Sequence, residues 1–180
     1  LLRGKFNLEL PFDFVSSVSE MKQSQAPFLF WDVDPRTPGK IQIGKLSRVN
    51  GAKALESIRV AERLAREGHV SAIVTAPLNK TAVRLVDSHF IGHTEFLAEN
   101  GRVKKYAMMF VGSKFLVTLA TIHLPLKNVA KAITRKLIIE KIALTSQFLK
   151  KYRFPKQDVA VCALNPHGRE TGTEEDRVIL

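Results

Sequence analysis

Leu116-Val117-Thr118-Leu119-Ala120-Thr121-Ile122-His123-Leu124-Pro125-Leu126 is an apolar, partly β-branched run halted by a proline, and Val159-Ala160-Val161-Cys162-Ala163-Leu164-Asn165-Pro166-His167-Gly168 repeats the design further along the chain. Proline lacks a ladder donor and restricts its predecessor, so strand pairing is expected to stop at both places, each time beside a histidine. In open α/β sheets the carboxyl ends of strands are where ligands collect. Both segments are therefore expected as buried strands that bring His123 and His167 to one sheet edge, where two imidazoles can share a divalent metal. Taken singly, each histidine reads better as a hydrogen-bonded structural residue; the pair at matching strand ends brings the two readings level.

Working outward, Ala72-Ile73-Val74-Thr75 reads as another buried strand, ended by Ala76-Pro77. The strand–turn–helix pattern puts Asn79 and Lys80 at a helix amino end, suited to a phosphate or carboxylate, with a solvated lysine as the plain alternative. Gly92-His93-Thr94-Glu95-Phe96 reads as a loop entering a helix, with Thr94 available as its cap. Short strands are expected over residues 28–33 and 40–44, and a helix over 47–67 from the spacing of Ala54, Ile58, Ala61, Leu64 and Ala65, stopped by Gly68. Residues 107–111 and 115–121 suggest a hairpin turning at Gly112-Ser113, and an apolar stripe predicts one long helix over 128–152. Helix and strand alternate throughout. The expected class is α/β with mixed sheets flanked by helices.

Composition narrows the function classes. No apolar run approaches the eighteen or so residues of a membrane span, and no signal peptide opens the 180 residues, so a cytoplasmic protein is expected. Cys162 is the single cysteine, which excludes an intrachain disulfide and a cysteine-cluster metal site; its apolar setting predicts an inert buried thiol. The net charge of +11 raises a nucleic-acid-binding module as a rival reading. Lys127, Lys131, Arg135, Lys136, Lys141, Lys150, Lys151, Arg153 and Lys156 lie on or beside the long helix, opposed on it only by Glu140. Aromatic residues are not interleaved with them as a stacking platform requires, so the stretch reads as a solvated face. Walker, Gly-x-Ser-x-Gly, His-Glu-x-x-His and Gly-x-Gly-x-x-Gly patterns are all absent.

Four blocks, Thr75-Ala76-Pro77-Leu78-Asn79-Lys80, Gly92-His93-Thr94-Glu95-Phe96, Thr121-Ile122-His123-Leu124-Pro125-Leu126 and Leu164-Asn165-Pro166-His167, occur in an order and spacing that resembles the 4-hydroxythreonine-4-phosphate dehydrogenase family of vitamin B6 biosynthesis. The similarity runs from about Gly44 onward. It implies an isocitrate/isopropylmalate dehydrogenase-like fold with two subdomains and the site in the cleft, residues 1–90 belonging to the first and 91–180 to the second. It further implies a homodimer with a shared active site, NAD or NADP, and a divalent ion (Zn, Mg or Co). The family oxidises the secondary hydroxyl of a phosphorylated hydroxyamino acid, and the resulting β-keto acid loses carbon dioxide. Relatives act on phosphothreonate or erythronate phosphate, and the shared motifs do not separate these substrates. By the resemblance, His93 and Thr94 contact substrate, Lys80 is the catalytic candidate, and His123 and His167 ligate the metal; no residue is assigned to the nicotinamide cofactor. The family's Gly-Asp-Pro opening, third metal histidine and later substrate residues have no counterpart here, and the loop after His167 is shortened. A central piece of the enzyme, with little activity alone, is the expectation.

Overall fold

The computed structural model describes residues 12–33, 41, 43–165 and 167. In chain order they form β1 (Phe12–Phe14), α1 (Val18–Gln23), β2 (Phe28–Phe30), α2 (Arg48–Arg66), α3 (Lys80–Arg84), α4 (His93–Asn100), β3 (Met109–Val111), β4 (Leu116–Thr118), α5 (Leu126–Ala132) and α6 (Arg135–Lys151). Two units divide the chain, Leu1–Arg102 and Val103–Leu180, and each contains helices and a two-stranded sheet. The class is α/β, as expected.

In the first unit, α2 starts where Ser47 Oγ accepts a hydrogen bond from Asn50 N–H at 3.1 Å, satisfying one of the helix's orphan donors. It stops at Gly68, whose φ of +75° favours glycine; Gly68 N–H donates to Ala65 O and His69 N–H to Leu64 O, closing the last turn. Between these ends α2 buries Leu55 and Ile58, which pack with Val83, Phe90 and Phe96 into the core of this unit. Gly51 lets α2 approach the α3 backbone, because a Cβ there would lie 2.0 Å from Ala82 O. β1 and β2 pair in parallel, Phe12 opposite Phe28, with α1 as the crossover that parallel pairing needs. α1 is capped by Ser17, and the Ser16 N–H donates to Glu20 Oε2, which holds the Glu20 carboxyl below its usual range.

Two expected strands in this unit are corrected. Residues 72–75 form no ladder among the described residues, and Val74 is 97 % exposed. Ile43 and Gly44 form a turn, Gly44 at φ +77°, while residues 40 and 42 lie outside the described residues. The physical reason is common to both: β-branched composition suits a pleated surface, but a strand exists only when a neighbour supplies its hydrogen bonds.

In the second unit, β3 and β4 form the expected antiparallel hairpin, Met109 opposite Thr118 and Val111 opposite Leu116. Leu119 N–H donating to Met108 O carries the pairing one step further. The single helix expected over 128–152 is instead two, because Thr134 takes an extended conformation and caps α6, its Oγ1 accepting from Leu137 N–H at 3.2 Å. A β-branched hydroxyl residue favours a cap over a helix interior. α6 turns Ile138, Thr145 and Leu149 inward. Arg135, Lys136, Lys150 and Lys151 are exposed as expected, whereas Lys141 is drawn in and donates to Tyr106 O at 2.6 Å.

α6 ends with Arg153 at φ +56°, its N–H on Lys150 O and the Phe154 N–H on Leu149 O. This is the same closing motif as at Gly68, but with a side chain in the left-handed region. Arg153→Gly should therefore stabilise the protein by about 1 kcal/mol, the usual cost of that conformation for a side-chain-bearing residue. A thermal melt should rise by roughly 2–4 °C; an unchanged or lower midpoint would contradict the assignment. Two further expectations fail downstream. Residues 159–164 form no strand among the described residues, and Cys162 is exposed where a buried thiol was expected. Among the described residues no strand pairs alongside, and the sulfur stays exposed.

Candidate functional site

Lys80 is set by a cap. Asn79 Oδ1 accepts from Ala82 N–H at 3.0 Å, starting α3 at Lys80, while the buried Ala82 and Val83 anchor the helix against α2. His93 and Thr94 are set by a different start. α4 begins after Gly92 with no side-chain cap, so Thr94 occupies the first turn and is not the cap expected of it. Phe96 and Ala98 then bury the inner face of α4.

These two helix starts converge. A Cβ built on Gly92 would lie 3.4 Å from Lys80 Nζ and 3.2 Å from Glu95 Oε2. Gly92 has φ 176°, an extended backbone open to any residue, so its contribution is space. Lys80 thus reaches over the step into α4, and its ammonium lies beside the residue that precedes His93. A cation next to a helix amino end, where N–H groups emerge, makes a favourable place for an anionic group.

The histidines of the second unit are placed by backbone. His123 is exposed, four residues beyond the last hydrogen bond of the β3–β4 ladder, and has φ +56°. That region is uncommon for a side-chain-bearing residue, though histidine is among the types enriched in it. His167 is exposed, and its N–H donates to Asn165 Oδ1 at 3.0 Å in a local turn. A cleft of about 350 Å³ opens beside the end of β4, lined by Lys104, Tyr106, Thr121, Ile122, Glu140 and Lys141 among others. Among the described residues no group of three His, Cys, Asp or Glu side chains is gathered as a metal site. The two exposed imidazoles nevertheless suit zinc or cobalt, which accept nitrogen donors, better than magnesium, which prefers oxygens.

The family model described as pyridoxal phosphate biosynthetic protein PdxA matches residues 2–180. The chain belongs to this family. The match reaches further toward the amino end than the four motif blocks did. A 4-hydroxythreonine-4-phosphate dehydrogenase of Desulforapulum autotrophicum is 41 % identical over 123 residues, covering 68 % of this chain and 36 % of that protein. One of the same name from Geobacter metallireducens is 35 % identical over 163 residues, covering 89 % and 48 %. Among solved structures, a putative 4-hydroxythreonine-4-phosphate dehydrogenase from Salmonella typhimurium superposes with a TM-score of 0.84 at 29 % identity, covering 99 % of this chain and 56 % of that one. The Klebsiella pneumoniae enzyme gives 0.79 at 29 %, covering 96 % and 53 %. The chain thus spans roughly half or less of the length of these PdxA relatives.

Two groups near the site were not singled out from sequence. Glu95 stood inside a quoted block, but only folding reveals that its carboxylate shares the Gly92 notch with Lys80. The chain of bonds from Thr118 to Thr145 (2.9 Å), Thr145 to Lys141 O (2.8 Å) and Lys141 to Tyr106 O had no local signal, since its members come from three separate segments.

Proposed function

We propose that this chain is part of a metal-dependent NAD(P) oxidoreductase that oxidises the secondary hydroxyl of 4-phosphohydroxy-L-threonine, with decarboxylation to 3-amino-2-oxopropyl phosphate. The observation that carries the reading is the meeting of Lys80 with the step before His93, which joins two family blocks into one corner suited to an anionic substrate. The names of the relatives support the reaction class. In this reading Lys80 offsets negative charge on the substrate, while His93 and Thr94 orient it by hydrogen bonds. His123 and His167 hold the ion, leaving its other positions to substrate, water and further protein groups. When bound, the ion supplies Lewis acidity toward the substrate oxygen and the nicotinamide ring supplies a hydride acceptor. The isocitrate dehydrogenase-like arrangement, two subdomains with the site in the cleft, belongs to the same proposal. So do a homodimer sharing its sites and a cytoplasmic location; among the described residues no helix is long and apolar enough to cross a membrane.

The decisive experiment uses the full-length protein. His93→Ala should lower kcat/KM for the phosphorylated hydroxyamino acid by roughly a hundredfold, the scale of a substrate misplaced by about an ångström. Metal content and melting temperature should stay as in the parent, because His93 is assigned to substrate and not to the ion. Wild-type kinetics in that variant would remove His93 from the site. Faster turnover by the parent of phosphothreonate or erythronate phosphate would reassign the substrate within the family.

A further inference from the structure

We propose that the cleft beside the end of β4 seats the nicotinamide ring of the dinucleotide, with Glu140 and Lys141 reading the ring's carboxamide; this rests on the oxidoreductase reading above. At about 350 Å³ the cleft falls in the roughly 300–1,000 Å³ range of small-molecule sites. Its walls are largely apolar, with Met108, Leu119, Ile122 and Leu137 among them, and Glu140 and Lys141 bring charge to it.

Consecutive residues on a helix do not ordinarily face each other. Here they converge, because Lys141 is drawn back to donate to Tyr106 O at 2.6 Å and its Nζ comes within 3.5 Å of Glu140 Oε1. The two side chains are only 18 % and 24 % exposed, so hydrogen bonds they make to a ligand are stronger than those of a solvated ion pair. Thr145 fixes the stretch of α6 that carries them: its Oγ1 donates to Lys141 O at 2.8 Å and meets Thr118 Oγ1 of β4 at 2.9 Å.

An ammonium has three donors and a carboxylate about four acceptor positions, so both groups have bonding capacity beyond these contacts. A donor beside an acceptor matches a primary carboxamide, whose carbonyl accepts from Lys141 while its NH2 donates to Glu140. A phosphate or carboxylate in the same place would meet the Glu140 charge, so the cleft suits a flat ring and not the anionic substrate. Ile122 and Leu124, the chain neighbours of His123, both line the cleft, which places it next to the residue assigned to the ion. The nicotinamide must lie beside the group it oxidises. Adenine also carries a donor beside an acceptor, but that end of the dinucleotide has no need to lie near the ion. Lys104, exposed at the cleft, suits the phosphate next to the nicotinamide ribose.

The test uses the full-length protein and reads binding by calorimetry, without turnover. Glu140→Ala should weaken NAD or NADP, whichever the parent binds, about tenfold, the scale of one charge-assisted hydrogen bond, with metal content and melting temperature as in the parent. ADP-ribose, which lacks the nicotinamide, should bind both proteins equally. In the parent protein the acetylpyridine analogue of the cofactor, in which a methyl group replaces the amide nitrogen, should also bind about tenfold more weakly, a comparison independent of how any variant folds. Glu140→Ala should cost that analogue nothing further, because the partner of Glu140 is already gone. Lys141→Met should weaken cofactor and analogue alike, since both keep the carbonyl. Parent-like cofactor binding in either variant, or equal binding of cofactor and analogue by the parent, would overturn the cleft assignment and leave the oxidoreductase reading intact. Weakened ADP-ribose binding in Glu140→Ala would do the same, by putting adenine in the cleft. A parent that binds neither NAD nor NADP would overturn both, starting with the oxidoreductase reading.

Discussion

Gly51→Val should destabilise the protein by about 3 kcal/mol or more, at or above the usual top of the range for overpacked sites. Local preference alone points the other way, since glycine is the poorest helix former after proline and valine improves on it slightly. What decides the sign is the neighbour. A Cβ at Gly51 would sit 2.0 Å from Ala82 O, 2.5 Å from Ala82 C and 3.0 Å from Val83 N, all backbone atoms that cannot rotate aside. The two γ-carbons of valine add to that overlap, so α2 and α3 must separate. Val83 is fully buried and packs with Leu55 and Ile58, so separation also opens the core. Against a net stability of 5–15 kcal/mol typical of domains, the loss is a substantial share. At roughly 2–4 °C per kcal/mol, the melting temperature should fall by at least about 6 °C. Gly51→Ala should fall less but in the same direction. A valine variant melting within 2 °C of the parent would mean that α2 and α3 do not approach this closely.

His123→Ala in the full-length protein should release the metal and lower turnover by more than a hundredfold, since disturbing even the outer partners of a metal site costs about 10–100-fold. His167→Ala should do the same. Backbone conformation separates this loss from simple unfolding. His123 sits at φ +56°, where alanine bears the left-handed penalty of about 1–2 kcal/mol and glycine does not. His123→Gly should therefore be as inactive and metal-free as the alanine variant, yet more stable than it by about 1 kcal/mol. Metal analysis beside a denaturation curve reads both. Full metal content and normal turnover in either variant would take His123 out of the coordination shell.

Much was legible in the order of residues where the signal was local. Ser47 and Gly68 bound α2 as read, because a cap hydroxyl and a left-handed glycine act on backbone within a few residues. Asn79 opens the helix that carries Lys80 for the same reason, and the β3–β4 hairpin turns where Gly112-Ser113 indicated. The four family blocks, read from residue identity alone, pointed to the family whose model spans nearly the whole chain.

Tertiary structure decided what depends on partners distant in sequence. Residues 72–75 and 159–164 carry strand composition without forming a strand among the described residues, because a ladder belongs to two segments and composition describes one. Thr134 broke an apolar stripe that periodicity read as continuous, since a capping hydrogen bond is invisible to an average over hydrophobic positions. Lys141 looked like one more solvated cation until the Tyr106 carbonyl took its ammonium. The candidate site divides along the same line: the residues proposed for it, Lys80, His93, Thr94, His123 and His167, were all named from the family blocks in the sequence. Only folding put Lys80 and Glu95 into the notch at Gly92, because the distance between two side chains on separate helices is set by how those helices pack.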